Sequence, residues 1–201
     1  MKKIQCVGAG FNLEHSSNSN LKPKTFEWTS DHQDVQVLVD NAILYANKID
    51  KRFDQKRYGW VCESAAIVPQ LLGSLEDFYD VIIEEGEFEA IFTNSQKLLD
   101  IDDRFIYNST GSNLPWIPVE SWGLHDKLKV CSMVASPKLV CPGHKYRHEI
   151  ASKFKDKLDL YGGVHGSPRM GISDNLNLKW NDKRSAMCPY MFSVVMENES
   201  V

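Results

Sequence analysis

A chain of 201 residues with 42% hydrophobic and 25% charged side chains has ordinary globular composition and length for one large domain or two small ones. That balance excludes collagen-like, coiled-coil and wholly disordered readings. No apolar run reaches the ~18–20 residues of a membrane-crossing helix, so no integral membrane span is expected. A formal net charge of −4 argues against a surface that coats nucleic acid, because phosphate binding needs a basic excess.

The first strand is predicted at residues 4–7, whose apolar stretch is too short for a signal-peptide core. Gly8-Ala9-Gly10 then has the opening of a dinucleotide fingerprint. Leu13 stands where the third glycine belongs and no acidic residue closes a convincing second strand, so a plain turn is expected. A polar loop over 14–24 follows, then a strand at 35–39, a helix at 41–49 and a strand at 58–62. Pro69 opens a helix that puts Leu71, Leu72, Leu75 and Phe78 on one face. A strand at 88–93, a short helix at 96–99 and a strand at 105–108 complete this series.

Turn residues over 108–118 separate it from a second series. Strands are predicted at 129–135, 158–161 and 190–196, with helices at 144–157 and 179–187. Alternating strands and helices imply mostly parallel sheets with helices on their faces. The run YMFSVVM at 190–196 is nearly continuous in apolar residues, as a strand covered on both faces should be. The domains are placed at residues 1–122 and 123–201. The second is expected to be incomplete, because the chain stops directly after that buried-type strand. Its uncovered edge would promote homo-oligomer formation through the C-terminal region. Five cysteines with no CxxC pair favour a reduced, cytoplasmic compartment.

The densest chemistry lies between Ser136 and Gly163. Pro142-Gly143 precedes a helix in which Tyr146, Ile150 and Phe154 form the expected buried stripe. His144 and Arg147 share a face at its N-terminal turn, beside Lys145 and His148. Free N–H groups and the helix dipole make such a terminus receptive to anions, and arginine adds a forked donor for phosphate oxygens. A solvated basic face is the alternative. Cys141, His144 and His148 have spacing that zinc could use, but no fourth ligand is local, and no metal is expected. Asp100-Ile101-Asp102 and the acids at 84, 85, 87 and 89 read as solvated surface. Glu63 closes the strand in YGWVCES. The carboxyl end of a parallel strand is where ligands bind, and a carboxylate beside Trp60 could serve as a general base.

Four motifs occur in order: Ser136 ending a strand, Pro142-Gly143-His144 with Arg147-His148, Asp159-Leu160-Tyr161-Gly162, and Tyr190, Phe192, Glu197-Asn198. In this order they resemble the α-1,3-fucosyltransferases of glycosyltransferase family 10, most of all the short bacterial and viral forms. The segment YGWVCESAAIVP resembles the family's Glu-Ser segment and puts its general base at Glu63. The likeness is strong over 127–198 and looser from 57. It implies a GT-B-like α/β fold: two Rossmann-like domains with parallel sheets, acceptor side first, donor side second and here incomplete.

The implied reaction is inverting transfer of a sugar, fucose by the resemblance, from a nucleoside diphosphate to a glycan hydroxyl. The partners are then a nucleotide sugar (GDP-fucose) and a glycan acceptor, with no cofactor. Glu63 would take the acceptor proton. Arg147 and His144 would meet the diphosphate, with Ser136, Asp159, Tyr161, Glu197 and Asn198 completing the donor pocket. The family's next segment, a tyrosine and a Thr-Glu-Lys, falls past Val201, which leads to the expectation of a chain without turnover. A non-catalytic nucleotide- or glycan-binding module is the alternative.

Overall fold

The structure, a computed structural model, describes residues 1–8, 13–14, 23–109, 122–136, 138–162 and 183–197. The chain divides into two compact units, within residues 1–114 and 115–200. Each is an α/β unit built on a parallel sheet.

In the first unit the elements run β1 Lys2–Val7, β2 Phe26–Thr29, β3 Val35–Val39, a 3-10 helix Asp40–Lys48, β4 Lys56–Trp60, α1 Pro69–Gly86, β5 Phe88–Thr93, α2 Gln96–Leu99 and β6 Phe105–Tyr107. The sheet order is β2-β1-β3-β4-β5-β6, parallel throughout. The alternation along each strand sorts side chains to two buried faces, as parallel sheets require. Leu38, Val61 and Ile91 face α1 and meet Leu71, Leu72, Leu75 and Ile83. Val37, Val39, Trp60, Cys6 and Cys62 pack on the opposite face.

One row is polar instead. Gln5, Gln36 and Arg57 are register partners across β1, β3 and β4, all at most 5% exposed. Burial without partners would be costly, and every group is matched. Gln36 donates to Gln5 Oε1 at 3.0 Å, and Gln55 does so at 2.9 Å. Arg57 donates Nε to Gln36 Oε1 at 2.6 Å and its terminal nitrogens to the carbonyls of Ala46, Gly86 and Ile49, each at 2.9 Å.

Four expectations need correction here. The segment after β3 is 3-10 and not an α-helix. Its two buried residues, Ile43 and Ala46, are three apart, the period of a 3-10 turn. Phe78 does not join the stripe of α1. It is 60% exposed, because the helix kinks at this residue (φ −138°, ψ 30°) and packing resumes through Tyr79, Ile82 and Ile83. β2 was absent from the predicted elements, its FEWT run too short to stand out beside the polar loop before it. Finally, an acidic residue does close a strand next to β1: Asp40 follows β3 directly.

The second unit runs β7 Lys129–Val134, α3 Pro142–Lys153, β8 Asp159–Tyr161, α4 Arg184–Met187 and β9 Tyr190–Val194. Its sheet order is β8-β7-β9, again parallel. The buried face of α3 is His144, His148 and Ala151, which corrects the expected stripe of Tyr146, Ile150 and Phe154. Tyr146 is 57% exposed. The histidines sit at i, i+4 and continue to Ala151 at i+7, so small and polar side chains carry this contact. Ala151 meets Met133 of β7 and Leu160 of β8, with Ile150 only partly buried at the margin. α3 also ends at Lys153, since Phe154 has left helical geometry (φ −113°, ψ 16°). Leu128, Val130, Met191, Phe192 and Val195 are exposed. Among the described residues no helix is long and apolar enough to cross a membrane. All five cysteines are free thiols.

Candidate functional sites at the carboxyl edges of the two sheets

Both sheets contain the same opening order, with the second strand on one side of the first and the third on the other. That reversal makes a topological switch point at the carboxyl ends of β1 and β3, and of β7 and β9, where open α/β sheets bind ligands.

At the first switch point Gly8 leaves β1 with φ 151°, and a Cβ there would stand 2.8 Å from both the Cβ and the carbonyl oxygen of Val39. Glycine is what lets the two strand ends approach. Asp40 follows Val39 with φ 49°, a left-handed conformation that costs an ordinary L-residue ~1–2 kcal/mol and that aspartate tolerates better than most. Its Oδ1 accepts the N–H of Cys62 at 2.8 Å and of Glu63 at 3.2 Å. Burial pushes the Asp40 carboxyl above its ordinary range, and the two amide donors pull the other way without cancelling it. Glu63 therefore stands, half-buried, just beyond β4 on backbone that Asp40 grips. Burial also pushes the Cys6 thiol up to about 12 and the Cys62 thiol higher still, with the Asp40 charge adding to the latter. Both stay neutral and unreactive.

The second edge is cationic. α3 starts with Pro142 as its first residue and has neither a side-chain cap nor an acid in its first turn. Arg147 donates Nη2 to the carbonyl of Met196, just past β9, at 2.7 Å. His148 Nε2 lies 2.8 Å from the carbonyl of Ser136, just past β7. A carbonyl only accepts, so Nε2 carries the hydrogen. One helix thus ties down the segments leaving both strands of the switch point. Lys183 is close by: burial pushes its ammonium below the ordinary range, and the charge of Arg147 pushes it further. Gly162 follows β8 with φ 94°, and a Cβ there would stand 2.1 Å from the carbonyl oxygen of Ala135.

The predicted site residues divide accordingly. Ser136, Arg147 and the exposed Glu197 lie at the carboxyl edge of the second sheet, and His144 is buried on the α3 face. Asp159 starts β8 at the opposite edge, where it accepts from Lys129 Nζ at 2.8 Å and from the Tyr190 hydroxyl. These two bonds, the lysine's first, hold its carboxyl below the usual range. Tyr161 ends β8 but is 2% exposed, its hydroxyl donating to Ser185 O at 3.0 Å and meeting Tyr190 Oη at 2.8 Å. Both side chains are occupied within the unit. Asn198 lies outside the described residues. Glu63 belongs to the first unit and the donor set to the second. Sequence reasoning missed Asp40 and Lys183. An Asp-Asn directly after the apolar-rich VQVLV strand was the available signal for Asp40, while nothing local marks Lys183.

Among the described residues no group of three His, Cys, Asp or Glu side chains is arranged to hold a metal ion. No family model, curated protein or solved structure matches the chain. The fold and its two edges define an α/β protein of parallel sheets, compatible with Rossmann-like organisation.

Proposed function

We propose that this chain is a glycosyltransferase-like protein of GT-B type that binds a nucleoside-diphosphate sugar, GDP-fucose by its sequence resemblance, and acts on a glycan hydroxyl. The observation that carries the reading is the cationic carboxyl edge of the second sheet. Arg147 is near enough to lower the proton affinity of Lys183, and α3 begins without an acid in its first turn, an arrangement that suits a diphosphate.

In this reading the acceptor oxygen attacks the anomeric carbon as the bond to the diphosphate oxygen breaks. Glu63 takes the acceptor proton, and the electron pair leaves on the nucleoside diphosphate. Arg147, Lys183 and the α3 amides stabilise that charge as it grows. Fixed donors of this kind are each worth on the order of 10²–10³ in rate. Self-association through the second unit is part of the proposal, supported by the exposed Met191 and Phe192 of β9.

Titration with GDP tests the donor site. Arg147→Ala is expected to weaken binding at least about tenfold, the worth of a charged hydrogen bond, and equal affinities would end the assignment. Transfer from GDP-fucose to a glycan then tests the base: Glu63→Gln keeps the shape but cannot take the proton, so transfer is lost while GDP affinity holds. GDP binding without transfer by the parent chain would favour the binding-module reading.

A further inference from the structure

We propose that Asp40 is the positioning residue for Glu63, fixing where that carboxylate stands by gripping the backbone that bears it. The proposal rests on the reading of Glu63 as the base. β4 keeps its sheet bonding one residue past its end, where Val61 N–H donates to Phe92 O at 2.8 Å. From Cys62 onward the neighbouring strand has ended, since β3 stops at Val39. The Asp40 side chain takes over as acceptor. One oxygen receives two successive amides, at Cys62 and Glu63, and so holds two successive peptide planes. On the far side Ser64 O accepts from Ile67 at 2.9 Å and Val68 at 3.0 Å, turning the chain towards α1. Glu63 is therefore held between an aspartate grip and a turn.

The left-handed backbone of Asp40 lets the grip be separated from the fold. Asp40→Gly adopts φ 49° freely and removes the acceptor. Asp40→Asn also tolerates that conformation and keeps one acceptor oxygen, while both variants lose the charge. Their difference therefore reports the hydrogen bonds alone. Amide hydrogen exchange at Cys62 and Glu63 is expected to quicken at least about tenfold in Asp40→Gly and to stay within about threefold of the parent in Asp40→Asn. In transfer assays Asp40→Gly should lose kcat about tenfold or more with donor KM unchanged, and Asp40→Asn should recover most of it.

Parent-like exchange at both amides in Asp40→Gly overturns the proposal. So does a Gly variant that transfers sugar as fast as the Asn variant. If no protein, parent included, transfers sugar, the chain is the one without turnover that its sequence leads to expect, and the exchange arm decides whether Asp40 holds the backbone of Glu63.

Discussion

The two units begin with the same strand order and finish with opposite chemistry. At the carboxyl edge of the first sheet stand carboxylates, Asp40 and Glu63, and Asp40 accepts from the backbone amides of Cys62 and Glu63. At the corresponding edge of the second, Arg147 and Lys183 outnumber the exposed Glu197, with Arg147 donating to a backbone carbonyl. The amino-edge interiors differ as well. The first sheet buries a row of amides around one guanidinium, and the second joins Lys129, Asp159, Tyr190 and Tyr161 through hydroxyl groups. Topology alone therefore fixes where a site can form, while the residues just past each strand decide which charge it accepts. In the proposed reaction one edge takes a proton and the other stabilises an anion.

The largest expected effect tests how the edges are closed. Gly162→Ala would drive a Cβ to 2.1 Å from the Ala135 carbonyl at φ 94°, a backbone clash that the three-stranded sheet can relieve only by opening. Loss exceeding about 4 kcal/mol and unfolding of the second unit are expected. Gly8→Ala meets Val39 at 2.8 Å within a larger core and should cost about 1–3 kcal/mol. Hydrogen exchange resolved by unit during denaturant titration would check both. A stable second unit in Gly162→Ala would show that its strand ends are not held by this contact.

Next come the interiors. Arg57→Met leaves the carbonyls of Ala46, Ile49 and Gly86 and the Gln36 amide oxygen without their donor, at a cost on the order of 3–5 kcal/mol. Tyr190→Phe removes the hydroxyl between Asp159 and Tyr161 and should cost about 1–2 kcal/mol. Equal costs in urea unfolding would mean that the two polar rows are equivalent after all. Acid sharpens the difference. Asp159 is held below its ordinary range, so its contribution is complete above pH ~4 and fades as pH falls through its folded value. Asp40 is raised, so the first unit is instead relieved of a penalty as its carboxyl protonates.

Much of this fold was legible because apolar runs are local. β3 and β5 occupy the ranges that their apolar residues predict, and α1 begins where Pro69 indicated. The strand expected at 58–62 runs instead over Lys56–Trp60, so Glu63 stands three residues past its end. What stayed hidden is held by distant partners. Asp40 acts on residues more than twenty positions away, and Arg57 collects carbonyls from the 3-10 helix, its capping residue and the end of α1. The signal in the second case was a polar residue inside each of three buried strands, Gln5, Gln36 and Arg57. His144 and His148 read as site residues at a helix start, yet that spacing also builds a buried face, and burial is where the fold puts them.

A smaller effect separates the surfaces. Met191 and Phe192 of β9 are 57% and 67% exposed, and a second copy of the chain is the occupant that this apolar strand should attract. Sedimentation velocity at rising concentration should show association that Phe192→Ser weakens. A monomer at every concentration would remove the self-association part of the proposal.

The smallest effect is the most specific to the charge difference between the edges. Lys183 has its ammonium pushed below the ordinary lysine range by burial and by Arg147, so the folded protein binds fewer protons here than the unfolded chain. The second unit therefore gains stability as pH rises from the folded value of Lys183 towards its ordinary value near 10.5. An anion bound beside both cations reverses the sign. It favours the charged ammonium, raises its proton affinity and draws in a proton from solvent. GDP binding should then be accompanied by fractional proton uptake that grows as pH climbs towards the lowered value of Lys183, and affinity should fall over the same range. Calorimetry in two buffers of different ionisation enthalpy measures that uptake directly, and Lys183→Met should abolish it while leaving the Arg147 contribution in place. GDP binding with no proton uptake in the parent would take Lys183 out of the anion site and leave the second edge with a single cation.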